Sequence, residues 1–459
     1  MPPNKAYGSR AAIRHHAKSY SRGGGQSRRG GKRANESGGK RLPATLPLAL
    51  DGSESLPEVV IGKSTSHPNV FRKRIKSISG KVQVGNWVSV VVESESGENG
   101  ELERKQLGFG WYNPKSEIAV RMVRWSADIP DQDFWKARME RAVSLRVNEL
   151  FLDERTNCYR LIHSEADGAP GLVVDRYGDC LSAEVFSAAV APRVPQILEL
   201  LSERLGTKHW LIQPGPHLQP QEGFDFRASS SAELPKQIQV HEGDVRFEVR
   251  FANSHKTGFF CDQRDNREKL TQFCAGKSVL DLCCYTGGFS VSAAKAGKAA
   301  AVTGVDLDAA PLETAKRNAR INQVQVKYTQ ADAFAYMRDM LRGRKEFDVV
   351  VLDPPKLIRN RSELDEGTRK HFDLNRLAMQ LVRPGGMLLT CSCAGLLQTQ
   401  DFTRVVRAAA RSAFQPTDFN PNPTPRDMQI LAHSGAAACH PVSANCPETE
   451  YLKAMWLRL

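Results

Sequence analysis

The chain has 459 residues, enough for two or three domains that each bury a core. Its ten cysteines show neither C-x-x-C spacing nor a secreted disulfide framework, which argues for a reducing, cytoplasmic setting, with no metal signature. No run approaches the ~18 apolar residues of a membrane span, and no apolar segment follows the basic N-terminus as it would in a signal peptide. The formal charge of +13 is concentrated at one end, where residues 1–42 carry eleven Lys or Arg against Glu36 alone.

In chain order, residues 1–60 read as a disordered basic tail and linker. "SYSRGGGQSRRGGKRANESGGKR" has almost nothing apolar to offset its ordering entropy. It suits either an arm that follows a phosphate backbone or a solubilising tail without a partner. Residues 61–128 hold short Val- and aromatic-rich strands bounded by Gly, Asn and Pro, as in a small β-barrel. Its basic and aromatic residues, Arg72, Lys73, Arg74, Lys76, Trp87, Trp111, Tyr112, Arg121 and Arg124, form either a nucleic-acid platform or core aromatics beside solvated charges. Residues 129–252 open with a linking helix over 131–150, with Phe134, Met139, Val143, Leu145 and Val147 broadly on one side, and continue as an α+β segment.

From 253 to 459 strands and helices alternate. Strands are expected near 278–283, 300–305, 325–329, 347–352 and 386–391, which makes a parallel, doubly wound α/β sheet. "DMQILAHS" and "YLKAMWLRL" have only a loop between them, so the last strand should return antiparallel, as in a methyltransferase-like sheet.

In an open α/β sheet the ligand lies at the carboxyl ends of the strands. The first strand ends at Asp281 and enters a turn, Tyr285, Thr286, Gly287 and Gly288, that opens a helix. Without G-x-G-x-x-G, pyrophosphate is poorly supported. Asp306, 25 residues on, ends the second strand where a carboxylate accepts both ribose hydroxyls. Asp308 reads as a helix N-cap. Asp332 ends the third strand and serves either the adenine amine or its own helix. Three acids at successive strand ends with a glycine turn point to adenosine without a pyrophosphate, hence S-adenosylmethionine as cofactor.

"DGAPGLVVDRYG", "HKTGFFCDQRDNR", "YTGGFSV", "VVLDPPK", "PGGMLLTCSC" and "HPV" occur in an order and spacing that resemble the bacterial 23S rRNA cytosine-C5 methyltransferase I family, from about Ser66 to Leu459. The resemblance implies a PUA-like barrel, a central α+β domain and a class I methyltransferase domain that makes 5-methylcytosine in large-subunit rRNA, in the cytoplasm, with a homodimer left open. It also implies that Cys393 is the nucleophile. A thiolate adding at C6 makes C5 nucleophilic enough to take a methyl group. Cys391 alternates with Cys393 and shares its face, so a swapped or supporting role stays open. Asp353 should face both methyl donor and base, holding N3 or the exocyclic amine. Lys356 could favour the thiolate, contact phosphate or simply be solvated. Lys256 and Arg264 could contact RNA or anchor a loop. The competing readings are methylation of another base atom, such as one of guanine, and a non-catalytic assembly factor.

Overall fold

A computed structural model describes residues 45–96, 101–216, 218–251, 258–415 and 426–459; the basic tail and Lys256 lie outside them. Strands β1 (Glu58–Ile61), β2 (Asn69–Phe71), β3 (Ile75–Ile78), β4 (Trp87–Ser96), β5 (Glu101–Tyr112) and β6 (Ile118–Arg124) form one sheet in the order β2-β6-β5-β4-β1-β3. Bulges at Val90/Val91 and Phe109/Gly110 bend its long strands.

Of the two readings of the aromatics, the core one holds. Trp87 and Trp111 are buried where one face of the sheet packs against the helix that follows it, and Tyr112, on the other face, is buried in the sheet's own core. Trp111 stacks on Trp135 of that helix at 5.7 Å and 2°. The Arg193 guanidinium lies over the rings of both Trp87 and Trp111. Arg121 is buried too, paired with Glu165 and Glu222. Lys73, Arg74 and Lys76 stay exposed.

Helix α1 (Gln132–Ser144) is capped by the Asp131 carboxylate, which accepts from the Phe134 N–H. It buries Trp135, Met139, Ala142 and Val143. The apolar stripe is therefore anchored by Trp135, and the guanidiniums of Arg124 and Arg138 lie over the Phe134 ring. Leu145 and Val147 fall in a wider turn, Leu145–Glu149, that turns Arg146 inward onto Asp167 through two hydrogen bonds of 2.7 and 2.8 Å.

The central domain carries β7 (Cys158–His163), β8 (Leu172–Tyr177), β9 (Cys180–Val185), β10 (His209–Pro214) and β11 (Ser229–Ser230) in the order β11-β10-β9-β8-β7. Helix α2 (Val194–Leu205) makes the crossover that sets β10 parallel to β9, and α3 (Leu218–Glu222) follows. The hairpin β12 (Gln237–Glu242) and β13 (Val245–Arg250) then leads to the last domain. There the Asn318 and Asn322 side chains accept from the backbone N–H groups of Glu248 and Arg246.

The last domain begins with α4 (Arg264–Thr271) and proceeds β14 (Ser278–Leu282), α5 (Gly288–Lys295), β15 (Ala301–Asp306), α6 (Ala309–Ile321), β16 (Lys327–Gln330), α7 (Ala333–Arg342), β17 (Phe347–Leu352), α8 (Leu364–Gln380), β18 (Val382–Ser392), α9 (Thr399–Ala413), β19 (Gln429–Ser434) and β20 (Lys453–Arg458). The sheet order is β16-β15-β14-β17-β18-β20-β19. The first five strands are parallel, and β20 inserts antiparallel between β18 and β19. This is the class I methyltransferase arrangement anticipated above. The order reverses at β14, so the carboxyl ends of β14, β15 and β17 surround the switch point where such sheets bind ligands.

Candidate active site at the strand ends

The turn after β14 is held in an uncommon conformation. Cys283, Tyr285 and Gly287 all have positive φ, at 62°, 49° and 78°. A Cβ on Gly287 would lie 2.5 Å from the Tyr328 hydroxyl and 3.0 Å from Ala315 Cβ, so only glycine fits. Two carboxylates support the turn. Asp281 Oδ2 accepts from the Ser290 N–H at 2.9 Å and the Ser290 hydroxyl at 2.5 Å, tying β14 to α5. Asp306 Oδ2 accepts from the Tyr285 N–H at 2.8 Å, and its Oδ1 accepts from the Asp308 N–H at 3.0 Å. The Thr286 carbonyl accepts from the Asn318 amide, and the Tyr285 ring meets Phe260 edge-on at 5.0 Å.

Acids gather at the ends of four neighbouring strands. Asp281 is buried, and its Oδ1 has no hydrogen-bond partner among the described residues. Burial, assisted by the charges of Asp353 and Asp306, pushes its carboxyl up to about 7. Asp306 and Asp353 are half-buried, and Asp332 is exposed. The Asp332 carboxylate accepts from the Ala335 N–H at 3.0 Å, so it caps α7 through one oxygen. Asp308 stands at the N-cap of α6, but its side chain makes no capping hydrogen bond. The cluster suits a cationic ligand carrying adenosine: carboxylates on successive strand ends, a cradle with no space for a side chain, and an orphaned buried carboxylate oxygen. An anionic pyrophosphate would meet repulsion here.

β17 ends beside this cluster. The Asp353 N–H donates to the Leu282 carbonyl at 3.3 Å, and its charge acts on Asp281, Cys283 and Cys391 alike. The two cysteines after β18 differ sharply. Cys391 lies within the strand opposite Ala454, fully buried, and burial drives its thiol well above the ordinary range. Cys393 stands one residue beyond the strand and is half-buried. Both pack on the same core cluster, as their alternation implied, yet Cys393 alone of the two is partly open.

Other expected contacts lie elsewhere. Arg264 is buried and donates to Asp265 at 3.0 Å and to Cys439 Sγ at 3.3 Å, so it anchors its loop. Lys356 is exposed, and its charge reaches Lys453. Sequence reasoning missed Lys453, a buried lysine on β20 directly opposite Ser392. The available signal was a lysine opening a strand, "KAMWLR", whose next four residues are apolar.

Residues 172–423, more than half of the chain, match the family model described as S-adenosylmethionine-dependent methyltransferase, and residues 64–125 match a PUA-like domain. The first match begins well before residue 253 and so takes in most of the central domain. "Ribosomal RNA large subunit methyltransferase I" of Shewanella denitrificans is 36% identical over 410 residues, covering 86% of this chain and 95% of that one. The protein of the same name in Aliivibrio fischeri is 34% identical over 401 residues with the same coverage. Among solved structures, a methyltransferase in complex with SAH superposes with a TM-score of 0.70 at 18% identity, covering 88% of this chain and all of that one.

Proposed function

This chain belongs to the S-adenosylmethionine-dependent methyltransferase family, and from that premise we propose that it methylates C5 of a cytosine in large-subunit ribosomal RNA, with Cys393 as nucleophile. The observation that carries the reading is the contrast between the two thiols: Cys393 is partly open just past the end of β18, the strand that pairs with β17 ahead of Asp353, whereas Cys391 is sealed in the sheet. The substrate class follows the name of the relatives, which this chain matches over 86% of its length.

The cofactor supplies an electrophilic methyl group. The Tyr285–Gly288 turn would cradle it, Asp306 would accept the ribose hydroxyls, and the acids of neighbouring strand ends would complement its positive charge. Asp332 has a second carboxylate oxygen with which to meet the adenine amine. On the base side, the Cys393 thiolate bonds to C6 and the C5–C6 π pair moves onto C5. Asp353 holds N3 or the exocyclic amine and favours protonation there as charge develops. After C5 takes the methyl group, it gives its proton to a base, and the thiolate leaves as the double bond reforms.

Replacing Cys393 by Ala tests the reading. Transfer of labelled methyl groups to large-subunit rRNA should fall by at least ~10³-fold, with cofactor affinity within about twofold of wild type because the turn and Asp306 are untouched. Retained transfer would refute the covalent route, and lost cofactor binding would mark Cys393 as structural.

A further inference from the structure

We infer that Lys453 is the positioning residue and proton partner of the Cys393 thiol: the S–H bond breaks as an N–H bond forms at Nζ, and the resulting ammonium holds the thiolate. When the thiolate is released from the base at the end of the cycle, it returns to the same ammonium, so no other proton carrier is needed for this step. The inference rests on the reading of Cys393 as nucleophile.

The geometry is specific. Lys453 faces Ser392 across the antiparallel β18–β20 pair, and its amine donates to the carbonyl of Ala394, the residue after Cys393, at 2.6 Å. A second hydrogen bond, 2.8 Å, goes to the Tyr451 carbonyl. An uncharged amine has two N–H groups, both spent on these carbonyls, which leaves its lone pair to accept a proton; an ammonium has a third N–H in that place. The amine is thus fixed against the turn that carries the thiol, and Cys393 and Lys453 act on each other electrostatically.

The other groups facing this amine are few. Glu450 adds a negative charge from its own segment, and Lys356 adds a positive one from the loop after β17. His371 of α8 also faces Lys453, with its Nε2 3.2 Å from the Ser392 hydroxyl. Burial lowers His371 to about 4, so it is uncharged at neutral pH. Burial also brings Lys453 down to about 8, close to the ordinary thiol value of ~8.5, where proton exchange between the two costs little.

The test needs no RNA. Iodoacetamide alkylation of Cys393 is followed against pH by peptide mass spectrometry in wild type, Lys453→Met and Lys453→Arg, with Cys283 as internal control. In wild type the midpoint for Cys393 should lie below the ordinary ~8.5. Lys453→Met should raise it by at least about one pH unit, slowing alkylation at pH 7 roughly tenfold, while Lys453→Arg keeps it low. A wild-type midpoint at or above 8.5 would overturn the inference even if the Met variant does not fold. An unchanged midpoint in Lys453→Met would do the same, as would an equal rise in both variants, because that would make the turn's shape, and not the charge, responsible. Failure of the nucleophile reading is separately visible, as methyl transfer that survives Cys393→Ala.

Discussion

At the residue scale, Asp306 braces the turn and, on the proposed reading, also holds the ribose. Both of its oxygens already receive backbone N–H groups, from Tyr285 and Asp308, and each retains a lone pair for a ribose hydroxyl. Asp306→Ala should therefore weaken cofactor binding by about 10- to 100-fold, the loss of one or two charge-assisted hydrogen bonds plus a looser turn. Isothermal titration with the cofactor measures it, and an unchanged dissociation constant would refute the ribose role. The position of Asp306 was legible in the sequence because strand periodicity alone places it at a carboxyl end. Lys453 was not, because its significance lies in facing Ser392 across a strand pair formed by residues some 60 positions apart. The thiols fall between these cases. Alternation placed Cys391 and Cys393 on one face, but only the point where β18 stops distinguishes the buried one from the open one.

At the element scale, the β14–α5 turn is the part on which the proposed cofactor cradle depends. Its positive φ values at two non-glycine residues are a local cost that the Asp281–Ser290 and Asp306–Tyr285 hydrogen bonds offset. Gly287→Ala adds a third such residue and drives a methyl group against the Tyr328 hydroxyl. It should destabilise the protein by about 1–3 kcal/mol in urea unfolding and weaken cofactor binding as well. Adding Tyr328→Phe removes the nearest clashing atom and should recover part of the loss. A double variant no better than Gly287→Ala alone would show that the backbone angle, and not the clash, sets the cost. The alternation of strands and helices from residue 278 onward was readable because each element keeps its own hydrophobic period. The burial of Trp87 and Trp111 was not, since their partners, Trp135 and Arg193, belong to the next domain.

At the scale of the whole molecule, the barrel meets the central domain through buried charge. Glu222 receives hydrogen bonds from Asn113, Ser116 and Arg121, more than a hundred residues earlier, and from the nearer Ala188 N–H. Such pairs close an interface that no local pattern announces. With its aromatics turned inward, the barrel offers RNA exposed cations such as Lys73, Arg74 and Lys76 and no stacking platform of Trp87, Trp111 and Tyr112. The balance of RNA affinity therefore shifts toward charge, and the largest concentration of it is the eleven Lys or Arg of residues 1–42. Each cation that neutralises a phosphate contributes roughly 0.7 to 0.9 to the slope of log affinity against log salt. Deleting residues 1–42 should lower RNA affinity most at low salt and flatten that slope by several times this amount, while methyl transfer at saturating RNA keeps its rate because every proposed site residue remains. Filter binding across a salt series, with wild type alongside, measures both quantities. An identical slope would make the tail a solubilising segment and leave RNA recognition to the barrel and the domains behind it.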